Sequence, residues 1–82
     1  MIYKEIKIAN KEGLNAAAAA SIVQMAAKYN SKILIEKGNK KINAKSIMGV
    51  LSLAVRSGDE VFIVADGKDE KDALAAIEGI IG

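Results

Sequence analysis

No cysteine, histidine, proline or tryptophan occurs among the 82 residues. Without cysteine there are no disulfides, no thiolate catalysis and no cysteine-ligated metal. The missing histidines remove the usual general base, the commonest metal ligand and any transfer of a group through an imidazole. No apolar run approaches the ~20 residues that span a bilayer, and no signal-peptide pattern opens the chain. A cytoplasmic protein is therefore the default expectation. Gly-rich phosphate loops and metal-ligand spacings are absent too. The acidic residues make no catalytic pair: Asp59 and Glu60 follow a turn, while Asp69, Glu70 and Asp72 crowd a helix start, where negative charge is favoured. Neither an enzyme, a metal site nor a cofactor is expected.

What is present is half apolar, enough for one modest core, and no linker or repeat divides it. A single domain over residues 1–82 follows. The net charge of +2 conceals a split. Residues 1–45 carry nine lysines against Glu5, Glu12 and Glu36, a balance of +6. Residues 46–82 carry Arg56, Lys68 and Lys71 against seven acids, a balance of −4. Such a split marks either a basic face for an acidic partner or a solvated surface that happens to segregate.

Ile6 and Ile8 alternate with Glu5 and Lys7, the period of a half-buried strand. Residues 10–13 break the chain, and Asn15 is positioned to cap a helix. Behind it the Ala16–Ala20 run has high helix propensity, and Ala19, Ile22, Val23 and Ala26 share one face to about Lys28. Lys32–Lys37 alternates again, with Ile33 and Ile35 on one side. Gly38-Asn39 signals a hairpin into a short strand through Ile42. Ser46 caps a second, short helix, with Val50 and Leu53 on one side and Ile47, Met48 and Leu51 on another. A helix so short buries one of these sides, which leaves an apolar patch near Met48 and Leu51 exposed. Val61–Ala65 is a continuous apolar strand. Asp66-Gly67 then turns into a last helix capped by Asp69, with Leu74, Ile77 and Ile81 as its inward stripe.

The order β-α-β-β-α-β-α points to an α+β domain of two layers. A ferredoxin-like or RNA-recognition fold shares the first six elements, but it needs a longer second helix, and RNA recognition also needs stacking aromatics. Tyr3, Tyr29 and Phe62 are the only aromatics here. The seventh element and the two-turn second helix favour an open-faced β-sandwich, a four-stranded antiparallel sheet with three helices on one face.

The segment Asn43-Ala44-Lys45-Ser46-Ile47-Met48-Gly49-Val50-Leu51-Ser52-Leu53 closely resembles the regulatory-serine segment of HPr proteins, the small phosphocarriers of the bacterial sugar phosphotransferase system. The resemblance covers essentially the whole chain, including Gly13-Leu14 at the active-site loop and Asp66-Gly67 before the acidic helix start. It implies the HPr-like fold. The family's phosphate acceptor is a histidine at the N-cap of the first helix, followed by Ala-Arg-Pro. This chain reads Asn15-Ala16-Ala17-Ala18, with Asn15 for the histidine, Ala17 for the arginine and Ala18 for the proline. Asn15 keeps the cap and loses the nucleophile. Ala17 forfeits charge-assisted bonds worth roughly 1.5–3 kcal/mol. Ala18 lies in the first turn, where proline is dispensable.

By the same resemblance, Ser46 is the target of HPr kinase/phosphorylase. Ile47, Met48 and Leu51, with Ala20 and Gln24 of the first helix, form the docking surface for that kinase, for enzyme I and for a LacI-type catabolite repressor. The reading that follows is an HPr-like protein regulating carbon catabolite control through Ser46 and unable to carry phosphohistidine, with enzyme I docking but no transfer. Ala17 departs from the arginine that in the family helps bind phosphoserine and repressor. A second reading is a phosphocarrier whose site has been altered, naturally or by design. A third is a basic nucleic-acid binder using Lys28, Lys32, Lys37, Lys40, Lys41 and Lys45, without the arginines, aromatics or motif such binding favours.

Overall fold

A computed structural model describes all residues from Met1 to Gly82. Strand β1 (Ile2–Lys7) is followed by α1 (Ala16–Ala26), β2 (Lys32–Lys37), β3 (Lys40–Asn43), α2 (Ile47–Ser52), β4 (Glu60–Asp66) and α3 (Glu70–Ile81). The strands form one sheet in the order β1-β4-β2-β3, antiparallel at every pairing. β4 is laid down last and lies between β1 and β2, with Ile6 opposite Val61 and Ile35 opposite Ile63. The expected order of elements and the one-sided α+β architecture are both found.

Alternation along the strands separates two faces. Ile6, Ile33, Ile35, Val61, Ile63 and Ala65 point to the helices and are buried. Ala19, Ile22 and Ala26 of α1 and Ile77 and Ile81 of α3 close over them. Two residues expected on inward stripes sit on the shoulders instead. Val23 and Leu74 are only half-buried, while Ala73 takes the fully buried place on α3. Residues 73, 77 and 81 repeat every four positions and so stack along the row nearest the sheet. The regular part of α1 ends at Ala26 rather than Lys28. The amides of Lys28 and Tyr29 bond three residues back, to Met25 and Ala26, as a tightened last turn. No helix is long and apolar enough to cross a membrane.

Asp69 does not cap α3 with its side chain, contrary to expectation. Its carboxylate turns away to the loop after α1. There Oδ2 accepts from the amide of Asn30 and Oδ1 from the amide of Ser31, each at 2.9 Å, and Oδ1 accepts from the Ser31 hydroxyl as well. Ser31 is buried, and these bonds tie the start of β2 to the start of α3 across 38 residues. Gly67 makes room for the contact: a Cβ there would lie 2.5 Å from Ser31 Oγ, and its φ is +154°. Three donors bonded to one carboxylate outcompete a single cap bond.

The donors, the Ser31 hydroxyl foremost, hold the Asp69 carboxyl below its ordinary value of 3.8. A carboxyl depressed on folding stabilises the fold above its unfolded pKa, and the contribution is lost as pH falls through the folded pKa. Asp59 and Glu70 are shifted the same way, each mainly by a backbone amide. Stability should therefore hold near neutrality and fall as pH drops below the ordinary carboxyl values, 4.5 for Glu70 and 3.8 for the two aspartates. Ser31→Ala should make that fall shallower. Urea midpoints measured between neutrality and strong acid test this, and equal slopes for parent and variant would assign the whole loss to Asp59 and Glu70.

Ala54, just after α2, is the only non-glycine residue with positive φ, at +51°. A left-handed conformation is unfavourable by roughly 1–2 kcal/mol for a residue with a Cβ. Ala54→Gly should stabilise the fold by about 1 kcal/mol once the greater freedom of the unfolded chain is deducted. In a domain of this size that raises Tm by about 4–8 °C in a thermal melt.

Candidate functional site

Two helix starts carry the residues singled out by the sequence. The first begins α1. Gly13 has a φ of +66°, and a Cβ on it would meet the carbonyl of Val55 at 2.4 Å. Only glycine lets the loop pass this close to residues 55–56, and the amide of Leu14 then donates to that same carbonyl at 3.1 Å. The chain thus enters α1 with Leu14 buried and Asn15 half-buried at the N-cap. Asn15 Oδ1 accepts from the Ala18 amide at 2.9 Å, the expected cap.

Its Nδ2 donates to the Glu12 carboxylate at 2.6 Å. This partner was not singled out from the sequence. Its only signal there was a glutamate three residues before the cap, the reverse of the usual capping-box order. The arrangement leaves Asn15 bonded through both ends of its amide. It also places a negative charge at the positive end of α1, where it opposes a second anion. Ala16 and Ala17 are exposed, and no cation stands in the first turn of α1.

The second start is α2. Asn43 at the end of β3 accepts from the Lys45 amide through Oδ1 at 2.9 Å, and its carbonyl accepts from the Ser46 amide at 3.0 Å. That turn delivers Ser46 to the N-cap in an extended conformation, where its Oγ accepts from the Gly49 amide at 3.2 Å. Ser46 is exposed. Val50 and Leu53 face the core, fully buried. Ile47, Met48 and Leu51 face outward at 39%, 73% and 38% exposure, so the six-residue helix does leave one apolar side uncovered.

Lys37 holds the other end of α2. Its Nζ lies 3.2 Å from the Ala54 carbonyl and 3.1 Å from the Asp59 carboxylate. Asp59 also accepts from the Arg56 amide, and that bond first, then Lys37, keeps its carboxyl below the ordinary range. The clip was not read from the sequence, because its members lie on three separate segments.

α1, which bears Ala20 and Gln24, packs against α2. Gln24 is exposed and Ala20 half-buried. The six lysines proposed for nucleic acid do not share one surface. Lys37 is spent on the end of α2, Lys45 Nζ donates to the Tyr29 carbonyl at 2.9 Å, and Lys32 and Lys41 lie on the sheet face away from the helices. Alternation around β2 and β3 sends neighbouring lysines to opposite sides. No group of three or more acidic, cysteine or histidine side chains is gathered to hold a metal.

A family model described as the PTS HPr component phosphorylation site matches residues 2–82. The HPr-like protein Crh of Halalkalibacterium halodurans is 44% identical over 81 residues, covering 99% of this chain and 96% of its own. The phosphocarrier protein HPr of Treponema pallidum is also 44% identical, over 78 residues, 95% of this chain and 89% of its own. The solved structure of HPr-C-His from Thermoanaerobacter tengcongensis has a TM-score of 0.94 at 49% identity, covering 99% of this chain and 91% of that one. Identity does not favour the HPr-like relative over the carrier, and both cover 95% or more of this chain. The chain belongs to the HPr family.

Proposed function

We propose that this chain is a regulatory HPr-like protein, switched by phosphorylation of Ser46 and unable to relay phosphate. It is then a substrate and a ligand of other proteins rather than an enzyme. HPr kinase/phosphorylase would esterify Ser46 Oγ at the expense of ATP. The phosphorylated form would act as corepressor for a LacI-type catabolite repressor, in the cytoplasm. Enzyme I would dock without transferring phosphate.

The observation that carries this reading is an exposed hydroxyl at a helix start, beside three exposed apolar side chains. A kinase needs an accessible nucleophile and a surface by which to hold its protein substrate, and both lie within the first turns of α2. A phosphate on Oγ falls beside amides that have no partner within the helix, a favourable place for two added negative charges. The Gly49 amide, which now bonds to Oγ, can bond to a phosphoryl oxygen instead. On α1, by contrast, Asn15 offers no basic nitrogen and the chain contains no histidine to replace it.

Incubation with ATP and HPr kinase, followed by mass spectrometry of peptides, should find one phosphate, on Ser46. Ser46→Ala should remain unmodified. Labelling of that variant at the parent's rate would refute the assignment.

The equal identity to a phosphocarrier favours a second reading, a carrier that has lost only its chemistry. The helix end is retained, so activity should be recoverable in two steps. The parent should take no phosphate from phosphorylated enzyme I. Asn15→His should take it slowly, because backbone amides alone meet the developing charge. Adding Ala17→Arg supplies bonds worth about 1.5–3 kcal/mol in the transition state, roughly a ten- to hundredfold gain in rate. A folded double variant that stays inactive would show that the docking surface has also changed, which excludes the carrier reading.

A further inference from the structure

α2 is six residues long, and a helix so short does not hold itself together. It carries no acidic residue in its first turn and no basic residue in its last, so nothing within it complements its dipole. Its C-terminal end is fastened from outside, by Lys37 at the end of β2. The ammonium donates to the Ala54 carbonyl at 3.2 Å, and it lies 3.5 Å from the Leu53 carbonyl and 3.1 Å from the Asp59 carboxylate. Both charged side chains are 33% exposed, so the pair stands partly out of water, where it is screened less. Asp59 is itself fixed. Its carboxylate accepts from the Arg56 amide at 2.9 Å, and its carbonyl accepts from the Ile8 amide at 2.8 Å.

Two further observations tie this charge to the helix. Lys40 stands directly opposite Lys37 across the β2–β3 hairpin, and like charges so paired are unfavourable. The cation stands there despite that cost, and what it meets is the end of α2. Ala54, whose carbonyl it bonds, holds the left-handed φ of +51°. The amide of Ala54 donates in turn to the Leu51 carbonyl at 3.2 Å, and Leu51 stands on the outward apolar side of the helix with Met48. A chain of bonds thus runs from Lys37, through the strained turn, to the exposed patch.

We propose that Lys37 is a positioning residue for recognition of Ser46. It bonds to none of Ser46, Ile47, Met48 or Leu51, yet it keeps the turn that presents them in a single arrangement. The inference rests on the reading of α2 as the side by which a kinase holds its substrate. Without the ammonium, the last carbonyls of α2 and the Asp59 carboxylate lose their shared donor, and the turn opens more often. Only the closed fraction offers Met48 and Leu51 in the docking pose, so apparent affinity for the kinase falls with that fraction. Transfer to Ser46 Oγ within the complex is untouched.

Amide hydrogen exchange and kinase kinetics on the parent, Lys37→Met and Lys37→Arg test the proposal. Ile77→Val, a loss in the core on α3, serves as the comparison for a merely weakened fold. Circular dichroism checks that each variant folds, and Lys37→Gln takes the place of Lys37→Met should methionine unfold the domain. In Lys37→Met the Leu53 and Ala54 amides should exchange about tenfold faster. In Ile77→Val the slow amides of the sheet should accelerate and these two should not. KM for phosphorylation of Ser46 by HPr kinase should rise about threefold in Lys37→Met with kcat unchanged. Lys37→Arg, which restores a charged donor, should return it toward the parent, and Ile77→Val should leave it alone. Parental exchange rates in Lys37→Met would overturn the proposal, as would a KM indifferent to the charge or raised equally by Ile77→Val. A parent left unphosphorylated at every concentration would instead refute the reading of Ser46, and this inference with it.

Discussion

The pairing of β4 with β1 on one side and β2 on the other is the constraint on which the rest of the molecule depends. β1 and the β2–β3 hairpin are not joined into one sheet until the chain has reached its last strand, because β1 touches no strand but β4. Val61, Ile63 and Ala65 supply the centre of the core, and their neighbours on β1 and β2 are buried only by being aligned with them. A slip of one residue along β4 would turn Phe62 and Val64 inward and expose those three. The loop before β4 is drawn into the same arrangement. The amide of Ile8 bonds to the Asp59 carbonyl, and Gly13 lies against residues 55 and 56. The start of α1 is thus held by the segment that leads to β4.

The two helix starts that carry candidate chemistry differ in a way that matters for modification. Asn15 is half-buried and already bonded in both directions, to the Ala18 amide and to Glu12. Its amide nitrogen is not basic and is no nucleophile for a phosphoryl group. Ser46 accepts one bond through an exposed oxygen whose hydroxyl is otherwise uncommitted to the protein. Phosphate attached there replaces an acceptor by stronger acceptors. The contrast is one of local bonding, since each residue caps its helix equally well in position.

A domain of this length covers one face of its sheet and leaves the other to solvent. Both apolar surfaces of the molecule follow from that economy of chain. On the helix side, α2 is too short to bury two flanks, and Met48 stands outward. On the sheet side, Tyr3 and Phe62 have no layer above them. The two surfaces face in opposite directions, so an occupant of one leaves the other open.

The order of elements was legible in the sequence because it rests on local chemistry: alternation for the strands, the Gly38-Asn39 turn, and the Asn15 and Ser46 caps, all of which the structure contains. The outward side of α2 was legible too, since two apolar flanks on two turns cannot both be buried. The family could be read from the serine segment, whose eleven residues stand together in the chain. Tertiary structure alone decided the partners of Asp69, which abandons its own helix for Asn30 and Ser31 because folding brings three donors to it from 38 and 39 residues away. It likewise decided that Lys37 clips α2 to Asp59. The contacts of Asp69 and Lys37 join side chains whose separation in the chain implies nothing about their separation in space, so no local periodicity or motif could have announced them.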